Sequence, residues 1–170
     1  MMDLWAFAKE NGNGLSGVGA MLACMVAAIT LLAQRKHNKL SVRPLPAIEF
    51  QDLEEGTVVA LHNHGTGPLI IERLVITNYG QEVGSVLIDL MPSPLNDWEY
   101  FVGEMDGRSI PVGGKVDLIS YKADEELGGA DIESLRKALA PLTIHIVYRD
   151  VYGGRHPAYL RSLRWFARLS

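Results

Sequence analysis

Leu142-Thr143-Ile144-His145-Ile146-Val147-Tyr148-Arg149 places Leu, Ile, Ile and Tyr on one side of a two-residue repeat and Thr, His, Val and Arg on the other. Successive side chains of a strand leave opposite faces, so this stretch is a β-strand with one apolar and one mixed face, extending to Tyr152. Working outward, similar β-rich runs are Thr57 to Asn63, Leu69 to Thr77, Gly84 to Leu90, Glu99 to Met105, Arg108 to Val112, Val116 to Lys122 and Ala158 to Phe166. Asp106-Gly107, Gly113-Gly114 and Gly153-Gly154 fall between consecutive runs, where a hairpin requires positive φ. Gly65-Thr66-Gly67-Pro68 reads as a tight hairpin connection. One helix is legible, with Asp131 as its cap, Ile132, Leu135, Lys137, Ala138 and Leu139 in its body and Pro141 at its end. Short strands at this spacing with a single helical crossover predict an immunoglobulin-like β-sandwich over residues 47–170.

The other decisive stretch is LSGVGAMLACMVAAITLLA, Leu15 to Ala33, which carries no charge. As a helix its 19 residues span about 29 Å, the thickness of a hydrocarbon core. Asp3, Lys9 and Glu10 precede it, so the basic leader of a secretory signal is missing, while Arg35, Lys36 and Lys39 follow at once. The positive-inside rule then places the N-terminus outside and the large C-terminal part in the cytoplasm. The expected organisation is a short outer tail over 1–14, a transmembrane helix over 15–34, a basic juxtamembrane tether over 35–46 and a cytoplasmic domain over 47–170. Pro44 and Pro46 stop the helix and make Leu40 to Pro46 a stiff tether or an edge strand. Gly12, Ser16, Ala20, Cys24 and Ala28 set small residues at steps of four along the helix, a pattern that lets two membrane helices approach closely and self-associate. Leu4, Trp5 and Phe7 suit the outer interface, and Arg35, Lys36, Lys39 and Arg43 suit contact with lipid headgroups.

His37-Asn38-Lys39-Leu40-Ser41-Val42-Arg43-Pro44, then Asn63-His64-Gly65-Thr66-Gly67-Pro68, and finally Tyr148-Arg149-Asp150-Val151-Tyr152-Gly153 give a second kind of signal. In this order, behind an apolar N-terminal helix, they resemble a diffuse group of uncharacterised bacterial single-pass membrane proteins. The resemblance implies an inner-membrane anchor and a β-sandwich, and no known activity.

Chemistry is sparse. His62 and His64 leave the same strand face and can share a metal, with His145, Asp150 or Glu72 as further ligands, although a solvent-facing pair is the commoner arrangement. There is no Gly-x-Ser-x-Gly elbow, and the single cysteine, Cys24, lies in the apolar run, which also excludes an intramolecular disulfide. The glycines Gly12, Gly14, Gly17 and Gly19 precede no Lys-Ser/Thr and form no phosphate loop. Asp124-Glu125-Glu126, with Asp117 and Asp131 nearby, lacks the spacing of a calcium loop. The expectation is therefore no enzyme, no cofactor and no resident metal.

Charge says more. The 170 residues carry a net charge of -4, against a general nucleic-acid binder. Ser41 to Ser134 holds 5 basic and 17 acidic residues, whereas Leu135 to Ser170 holds 7 basic residues and only Asp150. Arg161, Arg164 and Arg168 lie among Trp165 and Phe166, a mixture suited to anionic lipid headgroups, to phosphate or to an acidic partner, and the simplest expectation is that they pair with the acidic sheet beside them. The overall expectation is a membrane-anchored, non-catalytic scaffold whose sandwich binds a protein partner. Two alternatives are a membrane-acting effector in defence or toxicity, whose helices oligomerise in the bilayer, and a metal or enzyme domain built on His62 and His64.

Overall fold

The computed structural model describes residues 12–53, 56–92, 98–122 and 128–168. The chain divides into two compact units, Met1–Ser41 and Val42–Ser170. The first contains helix α1, Gly12–Ser41, whose described side chains are all exposed. Over Ser16–Ser41 it is long and apolar enough to cross a membrane. The helix does not stop at Gln34, and runs through the basic stretch expected as a tether. Arg35 to Ser41 contains neither proline nor glycine, and the first helix-incompatible residue is Pro44.

The second unit is mostly β. Its first sheet has the order β1 (Pro46–Leu53), β2 (Gly56–Asn63), β7 (Lys115–Lys122), β5 (Trp98–Phe101). The second has the order β4 (Gln81–Gly84), β3 (Leu69–Asn78), β8 (Leu142–Arg149), β9 (Tyr159–Ser162), with β6 (Ser109–Ile110) also paired to β3. Every strand pairing is antiparallel. One apolar core serves both sheets: Ile48, Val59, Leu61 and Ile119 come from the first, Leu69, Ile71, Ile76, Ile144 and Ile146 from the second. Helix α2, Gly128–Leu139, adds Ile132, Leu135 and Leu139, the i, i+3, i+7 stripe of a helix lying on a core.

β8 alternates strictly between buried and half-buried residues, as its sequence requires, but ends at Arg149. Several boundaries move for local reasons. β1 lies beyond the proline tether, with Ile48 buried and Glu49 and Gln51 facing out, an alternation carried by too few apolar residues to stand out. The run expected at Gly84 to Leu90 is instead β4 followed by a 3₁₀ turn over Ile88–Leu90. The reason is a two-residue turn, Tyr79-Gly80, with φ of 46° and 84°, which joins Asn78 to Gln81 and sets β4 earlier. β9 stops at Ser162 because the chain folds inward: the Leu163 N–H donates to the Leu142 carbonyl (2.9 Å), and a 3₁₀ turn over Arg164–Arg168 buries Phe166. Asp131 lies within the first turn of α2 rather than ahead of it.

The glycine turns have the expected positive φ, 78° at Gly107, 68° at Gly113 and 75° at Gly153. Two of them are not hairpins, since β6 belongs to the second sheet while β5 and β7 belong to the first. The Gly65–Pro68 connection likewise passes from β2 in the first sheet to β3 in the second. It presses on the segment ahead of β1: a Cβ at Gly65 would overlap the Arg43 carbonyl and the Leu45 N–H, and one at Gly67 the Val42 carbonyl.

Helix α2 is tied to the β1–β2 hairpin by Arg136, whose Nε and Nη2 donate to both carboxylate oxygens of Asp52 at 2.9–3.1 Å. The Asp52 side chain has no exposed surface, and the Thr57 hydroxyl donates to it at 3.1 Å. Removing one member of such a pair strands a buried charge, which costs about 3–5 kcal/mol. Arg136→Met should therefore lower stability by about that amount in chemical denaturation of the full chain in detergent. Lys137→Met, which breaks only the exposed pair with Glu133, should change it by no more than about 0.5 kcal/mol.

Candidate functional site

Asn63, the last residue of β2, is fully buried. Its Nδ2 donates to the carbonyls of Gly67 (2.9 Å), Ile110 (3.2 Å) and Pro111 (3.2 Å). Its Oδ1 accepts the N–H groups of Leu45 (3.2 Å) and Gly65 (3.0 Å). Its main chain donates to the Gly114 carbonyl and accepts from the Gly113 N–H, each at 3.0 Å. One side chain thus fastens the segment entering β1, the β2–β3 crossover and the β6–β7 turn.

On either side of it, His62 and His64 lie against Glu49. The ladder pairs Ala47 with His62, so Glu49, two residues along β1, is the diagonal neighbour of His62 on the outer face. The backbone of His64, one residue past the strand, is held by donation to the Leu45 carbonyl at 2.9 Å. Glu49 Oε1 is 3.0 Å from His62 Nδ1 and 2.9 Å from His64 Nε2, and the two rings are tilted with centroids 4.0 Å apart. His62 Nε2 donates to the Gly113 carbonyl at 3.1 Å. The His62 hydrogen bond holds the Glu49 carboxyl below the usual carboxylate range, against the opposing effect of burial, with His64 adding to it. The three ligand atoms lie within 4.8 Å of one another.

The third residue of the cluster is therefore Glu49, and none of the ligands expected from the sequence joins the histidines. His145 is on the second sheet, opposite Val75 and bonded to the Thr77 hydroxyl at 3.2 Å. Glu72 faces Arg149 and Arg155. Asp150 closes its own turn, accepting the N–H groups of Tyr152 (2.8 Å) and Gly154 (2.9 Å) and meeting His156 Nε2 at 3.3 Å. Burial pushes the Asp150 carboxyl up, but the two backbone donors and His156 outweigh it and leave its pKa lowered.

A second feature follows the free side of β1, an edge strand. The Ile48 N–H points away from β2 and donates to the Tyr159 hydroxyl at 3.0 Å. By the alternation of an antiparallel ladder, the backbone groups of Phe50 and Asp52 point the same way. A groove of about 530 Å³ runs there, lined by Ile48, Glu49, Phe50, Gln51, Arg161 and Trp165 among others. Trp165 stacks on Phe50 with centroids 5.9 Å apart, and the Arg161 guanidinium sits 5.0 Å from the same ring. A neighbouring groove of about 500 Å³ shares these three residues and adds Arg164 and Arg168.

The expected pairing of these arginines with an acidic sheet does not occur among the described residues. Arg136, Lys137, Arg149 and Arg155 do meet carboxylates. Arg161, on β9, faces Ile144 of β8 across the ladder, and the turn after Ser162 carries Arg164 and Arg168 out of the sheet, so no acid faces them across the ladder.

On α1, Ser16, Ala20, Cys24 and Ala28 are exposed, and Gly12 is the first of its described residues. Steps of four advance about 40° beyond a full turn, so these residues trace a ridge winding about 160° around a straight helix, not a straight face. Arg35, Lys36 and Lys39 are exposed on the last turns of α1, and Arg43 belongs to the second unit, where its carbonyl accepts the Thr66 N–H at 3.0 Å. Leu4, Trp5, Phe7 and Asp124 to Glu126 lie outside the described residues.

The chain matches no protein-family model, no curated protein and no solved structure.

Asn63→Asp turns a donor to three carbonyls into an anion facing them, so it should destabilise the full chain by at least about 2 kcal/mol in denaturant, more than most single substitutions. Because the folded pKa of Asp150 is depressed, the stability its carboxylate contributes is present above the ordinary carboxylate range and lost as pH falls through the lowered value. Asp150→Asn should therefore be less stable than the parent at neutral pH, and this difference should shrink as melting is followed below about pH 4.

Proposed function

We propose that this chain is a single-pass protein of a bacterial inner membrane, N-terminus outside, whose cytoplasmic domain is an immunoglobulin-like β-sandwich binding an extended acidic segment of a protein partner along β1. The apolar length of α1 and the basic residues Arg35, Lys36 and Lys39 behind it support the anchor and its direction. The ladder order supports the fold. β1-β2-β7-β5 corresponds to the A-B-E-D sheet of that family of sandwiches, and β4-β3-β8-β9 to its C′-C-F-G sheet, with α2 in the E-to-F connection.

One observation carries the binding reading: an edge strand with outward backbone groups at Phe50 lies beside grooves whose Arg161, Arg164 and Arg168 form no ion pair among the described residues, although Glu49 lines the first of them. Strand addition supplies main-chain hydrogen bonds, and a row of arginines selects acidic side chains on the incoming segment. The Phe50 and Trp165 rings give that segment an apolar floor. Such an interface binds and positions its partner, with no bond made or broken.

A photo-crosslinking side chain at Gln51, in the full chain in its native membrane, should give a discrete protein adduct. Arg161→Glu should reduce its yield about tenfold, the equivalent of 1.4 kcal/mol, and an added acidic peptide should compete for it. The same probe at Val83, exposed on β4 at the opposite edge of the second sheet, should give none. Equal adducts from both positions, or an adduct indifferent to Arg161→Glu, would reject the reading.

A further inference from the structure

The geometry points to Glu49, His62 and His64 as the ligands of one divalent transition-metal ion of the zinc class. Three atoms with lone pairs, Glu49 Oε1, His62 Nδ1 and His64 Nε2, converge within 4.8 Å. Tetrahedral ligands about 2.0–2.1 Å from zinc stand about 3.3–3.5 Å from one another. The two contacts of Glu49, at 2.9 and 3.0 Å, need to open by a few tenths of an ångström, and His62 Nδ1 and His64 Nε2, which lie within 4.8 Å, have to come to the same spacing.

His62 decides the argument. A ligating histidine gives its other ring N–H to a carbonyl or carboxylate, which fixes the tautomer and aims the free lone pair at the metal. His62 Nε2 faces the Gly113 carbonyl at 3.1 Å, so one N–H belongs there and Nδ1 is the atom presented to Glu49. A carboxylate oxygen and a ring nitrogen 3.0 Å apart need a cation between them, which is either the second proton of an imidazolium or a shared metal ion. The carbonyl is itself held, since Gly113 donates its N–H to the Asn63 carbonyl from a turn with φ of 68°. Glu49 and His62 stand on paired strands, and His64 is pinned at its backbone, so the ligands sit on rigid elements.

Two imidazoles and one carboxylate suit zinc, cobalt or nickel, whereas calcium and magnesium take oxygen. Side-chain exposures of 44% at Glu49 and 45% at His64 leave the outer side open to water, which completes the coordination. Glu49 also lines the groove beside β1, but the ligands are distinct from the arginines that would receive a partner, so the two readings are tested separately.

The test uses the full, untagged chain in detergent, freed of metal by chelator and titrated with Zn²⁺ and, separately, Co²⁺. One equivalent of Zn²⁺ should bind and raise the melting temperature, and Co²⁺ should develop the intense ligand-field absorption of tetrahedral coordination. His64→Ala and Glu49→Gln, neither buried, should each weaken Zn²⁺ binding at least about tenfold while leaving the far-ultraviolet circular dichroism unchanged. The triple variant Glu49→Gln, His62→Ala, His64→Ala should abolish it. Binding that survives in these variants would place the ion elsewhere, and a parent chain that takes up no Zn²⁺ would show that protons alone bridge the cluster; either result overturns the assignment.

Discussion

The Asn63 amide is the constraint on which the second unit closes. A strand that ends a sheet leaves its terminal backbone groups, and those of the connections crossing above it, without ladder partners. Here five such groups converge on one buried side chain with three acceptors at its nitrogen and two donors at its oxygen. No other residue of that size offers two donors and an acceptor in this arrangement: aspartate lacks the donors and leucine lacks both. The glycines beside it follow from the same requirement. For the crossover to reach Asn63 it must lie on the segment 42–45, and at Gly65 and Gly67 no side chain fits between them. The sequence Asn63-His64-Gly65-Thr66-Gly67-Pro68 is thus one packing solution read along the chain.

Burying Asn63 also determines what its neighbours do. In a strand the residues flanking an inward side chain point outward, so His62 is sent to the outer face by the burial of Asn63. His64 follows through its bond to Leu45, which is held by the same amide. Glu49 meets them through the β1–β2 register, and Gly113 meets His62 because its turn hangs from the Asn63 main chain. The backbones that carry the cluster are therefore fixed as a by-product of how this end of the two-sheet unit is closed.

β8 is legible because it buries one face and leaves a strict two-residue repeat, while β2, β3 and β7 are legible as apolar β-rich runs whose alternation is broken, in β2 and β3 by register shifts and in β7 by the consecutive buried residues Leu118 to Tyr121. β1 is not, since its inward positions are Pro46, Ile48, Phe50 and Asp52, a proline and a carboxylate interrupting the apolar repeat. Missing β1 concealed Glu49, because a ligand supplied across a ladder has no spacing to His62 and His64 along the chain. Reading β1 as a strand opposite β2 would have brought Glu49 and His62 together at once. The pairing of sheets was hidden for a similar reason: a positive-φ glycine reports a reversal of the chain, and does not say whether the next strand joins the same sheet or the facing one. Gly107 and Gly113 do the latter.

The excess of basic residues near the C-terminus has a structural division that composition alone does not show. Arg136, Arg149 and Arg155 lie where α2, β8 and the turn after it pass acidic residues of earlier segments, and their charges are met there. Beyond Tyr159 the chain reaches the edge of the second sheet, whose one ladder neighbour is β8, and the inward turn at Leu163 then fixes Phe166 in the core. Burying Phe166 obliges Arg164 and Arg168, two residues to either side, to remain on the surface beside Phe50 and Trp165. The same closure that completes the core leaves guanidinium groups and aromatic rings along the edge of β1. An edge of this kind invites pairing with any strand, and in the proposed docking mode the cationic rim would select segments that bring negative charge while the backbone would supply affinity.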